Sequence, residues 1–88
     1  MLTAVYMVGR LGPMDKNLFR KIKVQRPYKE DMKTPTIDVI ETMYWSENLS
    51  APFYRGRENQ LVSIKGRLEQ RDEKVVIIAE QVNFIEKE

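Results

Sequence analysis

Apolar and polar side chains alternate along most of the chain, with the period of two that is typical of half-buried β-strands. The alternation predicts five strands, over residues 2–8, 18–25, 36–45, 60–71 and 75–85. Residues 46–59 break the pattern and predict a loop with one short helix, capped by Ser50 and begun near Pro52. The apolar run at residues 75–79 predicts burial on both faces of the fifth strand.

Short segments rich in glycine, proline and charge separate the predicted strands. Residues 9–13 (GRLGP) predict a turn, residues 26–35 predict a loop, and residues 71–74 (RDEK) predict a tight hairpin turn. Gly66 lies inside the fourth strand and predicts a sharp bend. Five strands with a helical break between the third and fourth are typical of the OB-fold. We therefore predict an all-β, five-stranded OB-fold barrel, in one domain of 88 residues.

The composition removes several classes of function. The chain has no cysteine and no histidine, so disulfides, thiolate or imidazole metal sites and imidazole acid–base catalysis are all excluded. We expect no enzymatic activity and no cofactor. No apolar run approaches the roughly 18 residues of a membrane span, and no secretory leader is recognisable. We expect a soluble cytoplasmic protein without a membrane partner.

Positive charge is concentrated in one part of the chain, although the net charge is only +2. Residues 10–33 contain eight Lys or Arg against three Asp or Glu, whereas residues 34–88 contain seven against ten. A local cluster of cations favours a polyanionic partner such as nucleic acid.

The second predicted strand combines cations with an aromatic ring. Phe19, Lys21 and Lys23 share one face, while Ile22 and Val24 occupy the other, which also carries Arg20 as its polar exception. Single-stranded nucleic acid is held by cations on phosphates and by aromatic rings under bases. The pattern therefore predicts a binding face on this strand.

Other candidate contacts lie near this strand or on later elements. Tyr28 follows the second strand between basic residues, and either Tyr44 or Trp45 should face outward because neighbouring strand residues point to opposite faces. We favour Trp45 as the exposed one. The complete set of predicted contacts is Phe19, Lys21, Lys23, Arg26, Tyr28, Lys29, Trp45, Arg55, Lys65 and Arg67.

Three segments resemble the bacterial single-stranded DNA-binding protein family: residues 8–12 (VGRLG), 60–69 (QLVSIKGRLE) and 78–85 (IAEQVNFI). A close second resemblance is to primosomal replication protein N. The resemblance implies an OB-fold, homo-oligomers (dimers or tetramers) and sequence-tolerant binding of single-stranded DNA in replication, repair or recombination. It also implies base-stacking roles for Tyr28 and for an aromatic near Trp45.

The chain departs from that family in two respects. The family normally carries a linker and an acidic tail, whereas this sequence stops at Glu88, directly after the fifth predicted strand. An aromatic usual near the end of the fourth strand is replaced by residues 71–73 (RDE). The net charge near neutrality and the missing aromatics favour an alternative function, an adaptor subunit that binds a polymerase, helicase or primase with little DNA affinity. RNA binding through the same face is a third.

Overall fold

The computed structural model describes residues 3–26 and 36–85. Its strands are β1 (Val5–Met14), β2 (Arg20–Gln25), β3 (Ile37–Tyr44), β4 (Leu61–Arg71) and β5 (Lys74–Phe84), and one helix, α1 (Pro52–Arg55), lies between β3 and β4. The predicted order of elements is confirmed.

The strands form a closed barrel in the order β1-β2-β3-β5-β4, with β4 returning to β1. All neighbours are antiparallel except β3 and β5, which pair in parallel at Thr42–Tyr44 and Ile77–Ala79. The contact between β3 and β5 is short, so among the described residues the barrel is closed there by three residue pairs. A five-stranded barrel with a helix between β3 and β4 is the predicted OB-fold.

The core lies inside the barrel and is closed at one end by α1. It contains one apolar side chain or more from each of β1, β2, β4, β5 and α1: Met7, Leu11, Ile22, Phe53, Val62, Ile64 and Ala79. Phe53 is fully buried, and its ring stacks on Tyr44 with 5.3 Å between centroids. Alternate residues of β4 point inward, as the sequence pattern predicts.

The first predicted strand and the turn after it were wrong in extent. β1 begins at Val5 and continues through residues 9–13 to Met14, with an irregularity in its pairing to β2 after Leu11. A Cβ on Gly9 would lie 2.5 Å from the Lys23 carbonyl oxygen, and one on Gly12 would lie 2.9 Å from that of Lys21. The two glycines therefore permit close approach of β2 rather than chain reversal.

Two further local predictions need correction. The N-cap of α1 is Ala51, without a side-chain cap, because the helix starts one residue later than a Ser50 cap requires. In β5, burial on both faces holds for Ile78 and Ala79 but not for Val75, which is exposed near the hairpin end. The pairing of β3 with β5 begins only at Ile77, so Val75 lies beyond it.

Gly66 and the β4–β5 turn behave as predicted. Gly66 lies where β5 carries one extra residue, Glu80, and a Cβ on Gly66 would collide with the Ile78 carbonyl oxygen. Arg71 pairs with Lys74 across a two-residue turn whose central residues, Asp72 and Glu73, both have positive φ.

Arg20, the polar exception on the inner face of β2, is 4% exposed. Its Nε donates to the Gly12 carbonyl at 2.8 Å, and its Nη1 donates to the carbonyls of Phe53 at 2.8 Å and Tyr54 at 3.4 Å. Burial lowers the pKa of this guanidinium, and the charge of Glu58 partly offsets that effect. Arg20 thus ties α1 to the barrel wall. No helix in the described part of the chain could span a bilayer.

Candidate nucleic-acid interface

The outward face of β2 carries the predicted cations. Lys21 and Gln25 are exposed, Lys23 is half-buried, and Ile22 between them is fully buried. Phe19 precedes the strand, is half-buried and lies outside the core cluster. The predicted orientation of Phe19, Lys21 and Lys23 is confirmed, and their role in binding stays a prediction.

Lys23 is the centre of a groove that crosses β1, β2 and β3. Its neighbours across the sheet are Arg10 on β1 and Val39 on β3, and Arg10 in turn pairs with Leu61 on β4. The groove encloses about 430 Å³. Its lining residues are Val8, Gly9, Arg10, Lys23, Gln25, Ile37, Asn59 and Leu61.

Asn59 connects the two cations of the groove. Its carbonyl oxygen accepts a hydrogen bond from Nη1 of Arg10 at 2.8 Å, and its side-chain Oδ1 accepts one from Nζ of Lys23 at 3.0 Å. The backbone N–H of Asn59 donates to the Leu11 carbonyl at 2.7 Å, and its φ is 69°. Asn is enriched in this left-handed conformation. One residue therefore positions both positive charges toward the groove.

The walls of the groove are aliphatic. Val8 and Ile37 line it, Val39 lies beside Lys23, and each of the three exposes half or more of its surface. These exposed apolar side chains can contact sugars and base faces, while the neighbouring cations contact phosphates.

Phe19 and Lys21 lie farther along the barrel, toward the β1–β2 turn. Phe19 borders a small notch of about 120 Å³ together with Pro13, Met14, Asp15 and Lys21. Lys21 faces Glu41 directly across the β2–β3 pair. The turn is held by Oδ1 of Asp15, which accepts hydrogen bonds from the backbone N–H groups of Asn17 at 2.8 Å and Phe19 at 3.0 Å.

Arg26 is paired with a carboxylate. Its Nη2 and Nε donate to the two oxygens of Asp38 at 2.7 and 3.0 Å. The hydrogen bonds from Arg26 lower the pKa of Asp38, so this carboxylate is ionised at neutral pH. Because Asp38 balances its charge, Arg26 adds little net attraction for phosphate. The predicted contacts Tyr28 and Lys29 lie outside the described residues.

Trp45 and Arg55 are placed away from the groove. Trp45 is 61% exposed, while Tyr44 packs against Phe53, so the sequence correctly separated an outer from an inner aromatic. Trp45 lies six residues beyond Val39, about 20 Å along the chain at 3.3 Å per strand residue. Arg55 is exposed at the end of α1.

Lys65 and Arg67 lie on the outer face of β4. Lys65 is exposed opposite Tyr6 of β1. Arg67 forms ion pairs with Glu80 at 3.0 Å and Glu69 at 3.1 Å, so two carboxylates already neutralise it. The predicted contacts that the structure describes are thus spread over several faces, and among these described residues Lys23 alone lines the groove.

Sequence reasoning missed Arg10 and Asn59. Arg10 belongs to the basic segment and to the first of the three resembling segments. Because the sequence of residues 9–13 predicts a turn, the position of Arg10 on β1 was not predicted. Asn59 lies in a polar loop, and only the folded structure shows that it contacts Arg10 and Lys23. In residues 3–26 and 36–85, no three His, Cys, Asp or Glu side chains are placed to hold a metal ion.

Solved structures similar to this barrel come from proteins of remote sequence. The mitochondrial single-stranded DNA-binding protein Rim1 of S. cerevisiae aligns with a TM-score of 0.74 at 13% identity, over 100% of this chain and 99% of that chain. A second crystal form of Rim1 aligns with a TM-score of 0.65 at 11% identity, over 100% of both chains.

An OBody bound to hen egg-white lysozyme aligns with a TM-score of 0.61 at 18% identity, over 98% of this chain and 97% of that chain. No family model matches the sequence. No curated protein matches it either. At such identities the similarity establishes the fold, and the architecture of this chain is that of the barrel in single-stranded DNA-binding proteins.

Proposed function

We propose that the chain binds single-stranded DNA without sequence specificity, through the groove across β1, β2 and β3. The observation that carries this proposal is the side-by-side placement of Arg10 and Lys23, both positioned by Asn59. Among the described residues that line the groove, none is acidic. A phosphate there would meet Arg10 and Lys23 without a carboxylate from the described lining.

The chemistry of the walls supports tolerance of sequence. Aliphatic side chains such as Val39 contact any base or sugar, whereas sequence readout requires a fixed pattern of donors and acceptors at base edges. Gln25 supplies the polar side chain at the β2 end of the groove. Residues 27–35 follow directly after this end of β2, and they contain Tyr28, the proposed stacking residue.

The three resembling segments support a finer assignment. We propose a place in replication, repair or recombination, in the cytoplasm, as a homo-oligomer akin to the bacterial single-stranded DNA-binding proteins or to primosomal replication protein N. The assignment includes no catalysis, since the chain lacks the histidine and cysteine that most such chemistry uses.

Binding of fluorescently labelled oligothymidine at several salt concentrations tests the groove. We expect the wild-type affinity to fall with salt, with a log–log slope of about −0.7 per phosphate contacted. Arg10→Ala and Lys23→Ala should each weaken binding about tenfold and reduce the slope by about 0.7, because each removes a charge-assisted contact worth about 1.5 kcal/mol.

Lys16→Ala is the matched control, because Lys16 is an exposed lysine in the β1–β2 turn outside the groove lining. Equal affinity and slope for the wild type and both groove variants would exclude the groove as the site. Competition between oligothymidine and oligouridine of the same length separates DNA preference from RNA preference.

An adaptor function is the second candidate. The groove walls are more apolar than phosphate binding requires, with Val8, Ile37 and Val39 all exposed. An OBody, which shares this fold, was crystallised bound to a protein. Recovery of a polymerase, helicase or primase by the purified chain, with no measurable affinity for oligothymidine, would favour the adaptor over the DNA-binding proposal.

A further inference from the structure

Phe19 is an aromatic side chain that the core does not use. It is half-buried, lies outside the core cluster, and contacts no other aromatic ring of the described residues. It borders the small notch beside Pro13 and Met14, and on another side it borders a second open space beside Met43 of β3. An aromatic side chain with open space on two sides is accessible to a ligand.

Phe19 lies in line with the cations of β2. Phe19, Lys21 and Lys23 occupy successive alternate positions of one outward row, and Lys23 lines the groove. Phe19 and Lys23 are four residues apart, about 13 Å along the strand direction at 3.3 Å per residue. A single strand held at Lys23 can therefore reach the ring of Phe19 within a few nucleotides.

The charge of the notch suits a base rather than a phosphate. The described residues of its lining include one cation, Lys21, and two carboxylates, Asp15 and Glu41. Such a lining does not attract phosphate, whereas an aromatic ring can stack on the uncharged face of any base. The contribution expected of Phe19 is therefore stacking, without a phosphate contact.

The turn before Phe19 fixes the backbone from which its ring extends. Besides the two hydrogen bonds to its Oδ1, Asp15 donates its backbone N–H to the Phe19 carbonyl at 2.9 Å and accepts from the Leu18 N–H at 3.1 Å. Leu18 has a φ of 67°, a left-handed conformation that is rare for leucine and that persists only where the surrounding structure holds it. The backbone at Phe19 is thus ordered before a ligand binds, which reduces the ordering that binding requires.

The notch lies away from the outer face of β1, β4 and β5. Its described lining comes from the end of β1, the β1–β2 turn, β2 and β3, and none of it belongs to β4 or β5. The proposed homo-oligomer can therefore bury the outer face around Tyr6 and Lys65 and leave Phe19 accessible.

We infer that Phe19 stacks on a base of the single strand that lies in the groove, and that Asp15 is the positioning residue that holds Phe19 for this contact. The inference rests on the proposed function of the groove. Because stacking depends on a ring and not on a charge, loss of Phe19 should lower the affinity without changing its salt dependence. Loss of Arg10 or Lys23 should change both.

The first test is a salt titration of a labelled thymidine dodecamer with the full chain. Phe19→Ala should weaken binding by about 5- to 150-fold, the range expected for one lost base stack, and leave the log–log slope unchanged. Phe19→Leu keeps an apolar side chain without a ring and should also weaken binding, whereas Phe19→Tyr should bind as the wild type does. Leu49→Ala, at an exposed apolar residue between β3 and α1, is the matched control and should bind as the wild type does.

The second test separates the position of Phe19 from the charge of Asp15. Asp15→Ala and Asp15→Asn both remove the negative charge, but only asparagine keeps a side-chain oxygen that accepts the hydrogen bonds of the turn. Asp15→Ala should bind the dodecamer about 2- to 12-fold more weakly than Asp15→Asn, the cost of ordering one side chain on binding. In a Phe19→Ala background the two Asp15 variants should bind equally, because no ring remains to be positioned.

Each contrary outcome contradicts a separate part of the inference. If Phe19→Ala binds as tightly as the wild type while Arg10→Ala binds weakly, the groove stands and the Phe19 contact fails. If Phe19→Ala reduces the salt slope, the lost contact is with phosphate and not with a base. If the two Asp15 variants still differ without the ring, Asp15 acts on the fold and not on Phe19. If the wild type does not bind the dodecamer, both proposals fail together. Melting curves establish that each variant is folded at the temperature of the titration.

Discussion

Arg10 and Lys23 are like charges on adjacent strands, and Asn59 reduces the cost of placing them together. Their Cα atoms are direct cross-strand partners, a placement in which like charges repel. Asn59 offers each cation a neutral oxygen, its carbonyl to Arg10 and its amide to Lys23. A carboxylate there would relieve the repulsion more strongly, but it would also cancel the attraction for phosphate.

We predict that Asn59→Asp weakens oligothymidine binding and reduces the magnitude of the log–log salt slope by about 0.7, because the new carboxylate pairs with Lys23 and removes one phosphate contact. The measurement is a salt titration of binding. Asn59→Gly, which tolerates the positive φ and keeps the carbonyl for Arg10, should retain the wild-type slope. An unchanged slope in Asn59→Asp would mean that Lys23 does not contact phosphate.

At the scale of the elements, β4 and β5 carry an ion-pair network on their outer face. Arg67 links Glu69 and Glu80, and Arg71 donates from Nε to Glu69 at 2.9 Å. Arg67, which the sequence predicts as a phosphate contact, is therefore held in ion pairs on this sheet.

We predict that Glu69→Gln lowers the melting temperature at neutral pH and has no effect in strong acid. Hydrogen bonds from Arg71, and then from Arg67, lower the pKa of Glu69 below its ordinary value of 4.5. A carboxylate with a lowered folded-state pKa stabilises the fold above its unfolded pKa, and this contribution is lost as the pH falls through the folded value.

Melting curves of the wild type and of Glu69→Gln, recorded between pH 2 and 7, measure the difference in melting temperature. This range spans the ordinary carboxylate pKa values of about 4. Glu73→Gln, in the exposed hairpin turn, is the matched control. The difference should also shrink at high salt, because the pairs are partly exposed. A melting difference that persists unchanged at pH 2 would contradict the ion-pair explanation.

At the scale of the whole molecule, Arg20 joins the barrel wall to the helix that closes its end. Its guanidinium donates to a carbonyl of β1 and to two carbonyls of α1, and the residue is buried. These carbonyls belong to the short helix and to the irregular end of β1, where the regular ladder supplies few donors.

We predict that Arg20→Met lowers the free energy of unfolding by about 2 kcal/mol or more, because at least two buried carbonyls lose a donor at about 1–3 kcal/mol each. For a chain of this size that corresponds to a fall in melting temperature of about 8–16 °C. Thermal unfolding followed by circular dichroism measures it. Arg20→Lys keeps the charge but donates to fewer carbonyls, so its melting temperature should lie between those of the wild type and Arg20→Met. If Arg20→Met melts at the temperature of the wild type, the hydrogen bonds from Arg20 do not stabilise the position of α1.

The local pattern of the chain was sufficient for its elements. Strict alternation identified β2, β3 and β4 to within two residues and turned Lys21 and Lys23 outward, since the direction of a strand side chain depends on its position in the strand and not on the partner strand. The same alternation separated Tyr44 from Trp45. It failed at residues 9–13, because a glycine can mean a turn or a close approach, and the distinction depends on a neighbouring strand.

Tertiary structure alone decided which charges are available to a ligand. Residues distant in sequence determine that Asp38 balances Arg26, that Glu80 pairs with Arg67 in addition to the nearby Glu69, and that Arg10 lies beside Lys23. Barrel closure and strand register bring these pairs together, and neither is encoded in any short window of sequence. The basic segment therefore favours a kind of partner, whereas the register of the five strands determines where the proposed groove lies.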